Sequence, residues 1–105
     1  MFSGNTPIDV KPIEWDIIKN ILSQIIPERQ VLAFGSRVNG NKKEFSDLDI
    51  VVLGEESLAQ EKEADLHNAF IDSDLPFKID IVIWSRTSDK FKSIINQSYK
   101  VIQQI

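Results

Sequence analysis

Two short apolar runs set the strongest constraint on how this chain can fold, because each has the length of a buried strand. Val31–Phe34 is closed by Gly35 and Ser36, and residues 48–53 follow directly after Asp47. The ten residues that separate Ser36 from Asp47 are mostly polar. Apolar runs of this length bounded by glycine predict two consecutive β-strands, joined by a loop or a short turn of helix.

Apolar residues at helical spacing surround these strands. They recur at three- and four-residue intervals from Pro12 until Pro27 ends the pattern, and again between Ser57, a candidate N-cap, and about Ile71. Residues 77–84 are rich in isoleucine and valine and predict a third strand. Helices and strands therefore alternate along most of the chain.

A last helix is predicted to begin after Thr87 or Ser88. Its inward face would be formed by Phe91, Ile94, Ile95 and Ile102. The order helix, strand, strand, helix, strand, helix favours the α/β or α+β class, with a small mixed β-sheet flanked by helices. We predict one domain over residues 1–105, in which residues 1–10 form a loose N-terminal arm because they hold few apolar anchors.

Composition narrows the classes of partner and site. The net charge of −4 and the pI of about 4.9 argue against a nucleic-acid substrate, which would require a basic face. The chain has no cysteine and one histidine, His67, so disulfides and multi-histidine metal sites are excluded. It has neither an apolar stretch of membrane-spanning length nor an export signal, and we predict a cytoplasmic protein with no membrane partner.

Three aspartates form a candidate metal site. Asp47 and Asp49 are two residues apart at the start of a strand, so their side chains are expected on one face. Asp80 lies among isoleucines in the third strand, and it could join them if the two strands are neighbours. Clustered carboxylates repel each other, and one or two Mg²⁺ ions would remove that cost and also bind phosphate oxygens.

Gly35, Ser36 and Arg37 form a candidate phosphate site. Glycine lets the backbone approach a ligand closely, Ser36 offers a hydroxyl and backbone N–H groups, and Arg37 could make a forked contact to a phosphate. Each signal taken alone is more often structural, and Asp80 could simply pair with Arg37 or Lys78. Their joint order is what favours a site for a metal-bound nucleoside triphosphate.

These residues also carry a family resemblance. The Phe34-Gly35-Ser36-Arg37 segment, Gly40, the Ser46-Asp47-Leu48-Asp49 segment and the later Ile79-Asp80 pair resemble the minimal nucleotidyltransferases of the DNA polymerase β-like superfamily. The resemblance extends over nearly the whole chain. One departure is Asn39, which stands where many members carry a second basic residue and so removes one positive contact to the phosphates.

The resemblance implies a polymerase β-like palm fold and Mg²⁺-dependent transfer of a nucleoside monophosphate, AMP from ATP in particular, to a hydroxyl. Asp47, Asp49 and Asp80 would be catalytic and bind the metal, and Gly35, Ser36 and Arg37 would bind the nucleotide. Proteins of this kind pair with an all-helical HEPN protein as antitoxin and toxin. The implied acceptor is a tyrosine of that partner, in a hetero-oligomer.

Two other functions stay open at this point. In the first, the chain is a non-catalytic nucleotide-binding subunit that neutralises or completes its partner by contact alone. In the second, it transfers a nucleotide to an antibiotic or a nucleic-acid end, as larger members of the superfamily do with added domains. The short chain and its acidic charge place the second one last.

Overall fold

A four-stranded mixed sheet is the centre of the computed structural model of the protein, which describes residues 6–40, 43 and 46–105. The strands are β1 (Val31–Phe34), β2 (Leu48–Val52), β3 (Ile79–Ile83) and β4 (Tyr99–Gln103). They lie in the order β3-β2-β1-β4. β2 and β3 are parallel, and the other two pairs are antiparallel. The predicted mixed sheet is confirmed.

Helices connect and cover the strands. They are α1 (Pro12–Ile25), α2 (Ser36–Asn39), α3 (Gln60–Ile71) and α4 (Asp89–Gln97), with a 3-10 turn at Trp84–Arg86. At the start of α1 the Glu14 carboxylate accepts a hydrogen bond from the Lys11 backbone N–H at 2.8 Å, which satisfies a donor left free by the helix end. The single turn of α2 directly after β1 agrees with the predicted short turn. No helix in the described part of the chain has the length and apolar character needed to cross a membrane.

Alternation along the strands divides the core between the two faces of the sheet. One face packs against α1 and α3 and holds most of the buried residues. These include Ile18, Leu22, Val31, Ile50, Leu66 and Ile83. The other face is smaller and packs against α4, where Phe34 meets Phe91 edge to face with ring centroids 5.8 Å apart. Asp49 and Asp80 have the strand parity of this second face.

The prediction for the C-terminal segment is wrong in one part. The last helix ends at Gln97, and residues 99–103 form β4 beside β1. Ile95 belongs to the core under α4, whereas Ile102 packs in the core on the opposite face. The seven-residue spacing of Ile95 and Ile102 imitates one helix face, but the extended backbone of Ser98 ends the helix between them.

Several predicted boundaries also differ. β2 ends at Val52 rather than Leu53, and β3 covers Ile79–Ile83 rather than residues 77–84. α3 begins at Gln60 rather than after Ser57, because residues 57–59 stay extended and bury Leu58, which is 6% exposed. The N-terminal arm is not loose over residues 6–10. Ile8 is fully buried in the larger core, and the Asp9 backbone N–H donates to the Arg37 carbonyl at 2.9 Å. Residues 1–5 lie outside the described residues.

Candidate active site

The parallel pairing of β2 and β3 brings two of the predicted aspartates together. Asp49 and Asp80 are direct partners in the strand register, so the expectation that the third strand neighbours the second is confirmed. The two carboxyl groups also interact with each other, and this interaction contributes to a raised pKa of Asp49. Among the described residues the ion pairs are Lys19–Asp16 and Arg86–Glu63, so the alternative that Asp80 serves as an ion-pair partner of Arg37 or Lys78 finds no support.

The surroundings of the Asp49–Asp80 pair disfavour a negative charge on Asp49. Burial raises the pKa of Asp49 to about 6, and the negative charges of Asp80 and Asp47 and the hydrogen bond to Asp80 contribute to the rise. Two carboxylates so close favour one shared proton over two charges. Below about pH 6, and in the absence of a cation, that proton resides on Asp49. A divalent cation would replace that proton.

Asp47 lies just before β2 and is exposed. Its charge acts on Asp49, but among the described residues no three Asp, Glu, His or Cys side chains are already gathered as a metal-binding group. Asp49 and Asp80 thus form the preassembled pair, and Asp47, which lies outside the paired strands, is the third carboxylate of the candidate triad. The triad as a metal site stays a prediction.

Gly35 packs so closely against Asp49 that no space remains for a side chain at position 35. Its backbone has φ +83° and ψ −157°, a conformation that side chains rarely adopt. A β-carbon at this position would collide with the Asp49 Oδ2 atom. The chain therefore passes directly over the carboxylate before α2 begins at Ser36, which places Gly35, one of the predicted phosphate residues, beside Asp49.

Arg37 does not face the open site as the forked-contact prediction requires. The residue is 2% exposed. Nε donates to the Ser46 carbonyl at 2.9 Å, Nη1 donates to the Asp9 carbonyl at 2.8 Å, and the guanidinium lies 3.8 Å from the centre of the Phe77 ring. These contacts support a structural use of Arg37 and give no support to its use as a phosphate ligand.

A cavity of about 650 Å³ opens beside Asp47, and sequence reasoning missed it. Its wall combines the end of α3 with the chain that leads into β3. The lining includes His67, Phe70, Ile71, Phe77 and Lys78 together with Asp47. The local pattern favours a surface position for His67 and a core or interface position for Phe77. The local sequence could not predict that these two residues lie beside Asp47, because the cavity depends on how α3 packs beside β3.

Comparison with known proteins agrees with this geometry. Residues 15–102 match the nucleotidyltransferase domain family. The chain is 44% identical, over 97 residues, to the probable protein adenylyltransferase MntA of Haemophilus influenzae; the match covers 92% of this chain and 85% of that protein.

Solved structures show the same fold. A toxin–antitoxin structure with AMP-PNP contains a chain that superposes with a TM-score of 0.71 at 24% identity, covering 87% of this chain and 73% of that one. A tri-AMPylated HEPN toxin of Shewanella oneidensis in complex with its MNT antitoxin gives a TM-score of 0.60 at 22% identity, covering 89% of this chain and 71% of that one. The protein belongs to the nucleotidyltransferase domain family and, within it, to the minimal nucleotidyltransferases.

Proposed function

We propose that this nucleotidyltransferase moves AMP from ATP to a hydroxyl of a HEPN-type partner protein, with Mg²⁺, as the antitoxin of a toxin–antitoxin pair. The observation that carries the proposal is the Asp49–Asp80 pair on neighbouring strands, with Gly35 packed against Asp49. The relatives support the chemistry, since one is named as a protein adenylyltransferase and another is complexed with an AMPylated toxin. A tyrosine is the proposed acceptor residue.

The residues present fit a magnesium ion. Carboxylate oxygens are the ligands that Mg²⁺ prefers, and the repulsion that contributes to the raised pKa of Asp49 is a cost that a divalent cation removes. Asp47, Asp49 and Asp80 would hold one or two ions. Bound there, Mg²⁺ would neutralise the phosphates and the charge that develops during transfer.

The order of these residues across the sheet suggests one side of the site for the triphosphate and the other side for the acceptor. Gly35 follows β1, Asp49 lies on β2 in the middle, and Asp80 lies on the edge strand β3. Gly35 and Ser36 would bind the triphosphate at the β1 side. Asp80, which is exposed on the open edge, would meet the acceptor hydroxyl where a partner protein can approach.

The reaction balances with these assignments. The acceptor oxygen forms a bond to the α-phosphorus of ATP, and the bond from that phosphorus to the bridging oxygen breaks. Pyrophosphate leaves on the side of Gly35 and Ser36. Asp80 would accept the hydroxyl proton, as a carboxylate within hydrogen-bond reach of the acceptor does.

A comparison of ATP labelled at the α-phosphate with ATP labelled at the γ-phosphate shows which group is transferred. The chain, Mg²⁺ and the HEPN-type protein encoded beside it are incubated with ATP labelled at the α-phosphate or at the γ-phosphate. We expect the partner to keep the α-label and the γ-label to leave as pyrophosphate. Retention of the γ-label would identify a kinase instead, and transfer of neither label would favour the contact-only subunit. Because ATP is the substrate, we also propose a cytoplasmic location.

A further inference from the structure

Asp47 is the least supported of the three carboxylates. Asp49 and Asp80 lie within paired strands, whereas Asp47 precedes β2 and has no place in the strand pairing. A ligand on a loop keeps a productive position only if the surrounding structure holds its backbone. The position of the Asp47 carboxylate therefore depends on the contacts that hold the backbone on either side of it.

Both neighbours of Asp47 are held by hydrogen bonds. On one side the Leu48 backbone N–H donates to the Lys78 carbonyl at 2.9 Å, which continues the pairing of β2 with the β3 side of the sheet. On the other side the Ser46 carbonyl accepts from Arg37 Nε at 2.9 Å. The first contact is ordinary strand pairing, and the second depends on one buried side chain.

Arg37 is itself held in place by three elements. Nη1 donates to the Asp9 carbonyl at 2.8 Å, the guanidinium stacks on the Phe77 ring, and the residue lies in α2 directly after Ser36. Phe77 also lines the cavity beside Asp47. A planar guanidinium can stack on a ring while separate nitrogens donate to two carbonyls that lie apart, a geometry that the single nitrogen of a lysine ammonium does not reproduce.

We propose that Arg37 is a positioning residue, which fixes the backbone at Ser46 and thereby sets where the Asp47 carboxylate meets the metal-bound nucleotide. This inference rests on the proposed function, because Asp47 is assigned to the metal there. It replaces the direct contact between Arg37 and phosphate that the sequence predicts. It also explains why a charged side chain is buried without a close carboxylate partner among the described residues.

Electrostatics agree with this geometry. Burial lowers the pKa of Arg37, and the negative charges of Glu14, Asp9 and Asp47 raise it. The guanidinium nevertheless stays protonated at neutral pH, as arginine does in proteins. Its positive charge therefore acts on Asp47 as well as on the loop that carries it.

Arg29 offers a matched control at the opposite end of β2. Its Nη1 donates to the Leu53 carbonyl at 2.9 Å, and its Nη2 donates to the Ser57 carbonyl at 3.3 Å. Arg29 thus also uses a guanidinium to hold backbone carbonyls beside the same strand, but it lies far along the strand from Asp47. Substitution by lysine preserves the charge at either position and removes the forked geometry.

The test compares Arg37→Lys with Arg29→Lys in the full chain. Hydrogen exchange should become faster at the amides of residues 46–48 in Arg37→Lys and at residues 53–58 in Arg29→Lys. Mn²⁺ affinity, measured with a non-hydrolysable ATP analogue present, should fall about 10-fold or more in Arg37→Lys alone, as for other changes that disturb ligand orientation. The KM for ATP at saturating metal should change little in either variant.

The possible results separate this inference from the proposed function. Equal Mn²⁺ affinities in Arg37→Lys and wild type, or equal losses in both variants, would overturn the positioning role and leave the proposed function standing. A selective rise in the KM for ATP in Arg37→Lys would instead restore Arg37 as a phosphate ligand. A wild-type protein that binds no Mn²⁺ with the analogue would overturn both proposals.

Discussion

The Asp49 carboxylate occupies the space in which a β-carbon of Gly35 would lie. This contact joins the end of β1 to the middle strand of the sheet at the candidate site. The carboxylate can keep this position only while residue 35 has no side chain and keeps its backbone conformation, with φ +83°. A substitution at Gly35 should therefore disturb both stability and metal binding.

Gly35→Ala and Gly40→Ala form a matched pair for this claim. Both glycines have a positive φ, of +83° and +86°, but a β-carbon on Gly40 would meet open space. Gly40→Ala should lower the free energy of unfolding by about 1 to 2 kcal/mol through backbone strain alone. Gly35→Ala should lower it by about 3 kcal/mol or more, because the collision with Asp49 adds to the strain.

Urea unfolding measures the two stabilities, and Mn²⁺ titration with an ATP analogue measures the site. Only Gly35→Ala should weaken metal binding. Equal effects of the two substitutions on both measurements would show that the contact between Gly35 and Asp49 has no special importance.

The Asp49–Asp80 pair predicts a pH dependence of stability without metal. The pKa of Asp49 is about 6 in the folded protein, against 3.8 for an unperturbed aspartate, so the folded state binds more protons between these values. Stability should therefore fall as pH rises from about 4 to about 6 and then level off. Because the carboxyl group is partly exposed, solvent screening reduces the effect to about 1 to 2 kcal/mol.

Asp49→Asn should remove this loss, because the amide can still donate to Asp80 and carries no charge. The variant should unfold at higher urea than wild type at pH 7 and at similar urea at pH 4. Asp74→Asn, at an exposed position in the loop before β3, is the control and should follow wild type. Parallel stability curves for wild type and Asp49→Asn would contradict the shared proton.

Residues 6–10 should contribute strongly to stability. Ile8 is fully buried, so Ile8→Ala should lower the free energy of unfolding by about 2 to 4 kcal/mol. Ile13 is 67% exposed, and Ile13→Ala should change it by less than about 0.5 kcal/mol. Thermal or urea unfolding of both variants checks the comparison, and similar small losses would mean that the segment is a loose arm after all.

The local sequence could predict the strands that carry the site, because each is a short apolar run with clear boundaries. The predicted β1 matches the observed strand in full, and β2 differs only by the omission of Leu53. In β3, Asp80 alternates with Ile79 and Ile81, which pack against the larger core, so the carboxylate has the parity of the opposite face. Such alternation depends only on backbone geometry, which the sequence pattern reports directly.

Features that depend on distant contacts were beyond the sequence pattern. Ile102 has helical spacing from Ile95, and only the pairing of β4 with β1 shows that this segment is a strand. Arg37 resembled a phosphate ligand because its neighbours are Gly35 and Ser36. Its actual partners, Asp9 and Phe77, lie 28 and 40 positions away in the chain, and no local pattern connects them.

The intact mass of the HEPN-type partner shows whether this protein transfers AMP to it. The partner is coexpressed with the wild-type chain or with Asp49→Asn, purified through the complex, and measured intact. We predict that wild type adds one or more AMP groups to the partner, and that Asp49→Asn copurifies with a partner of unmodified mass. A partner of the same mass in both complexes would contradict nucleotide transfer as the function of this protein.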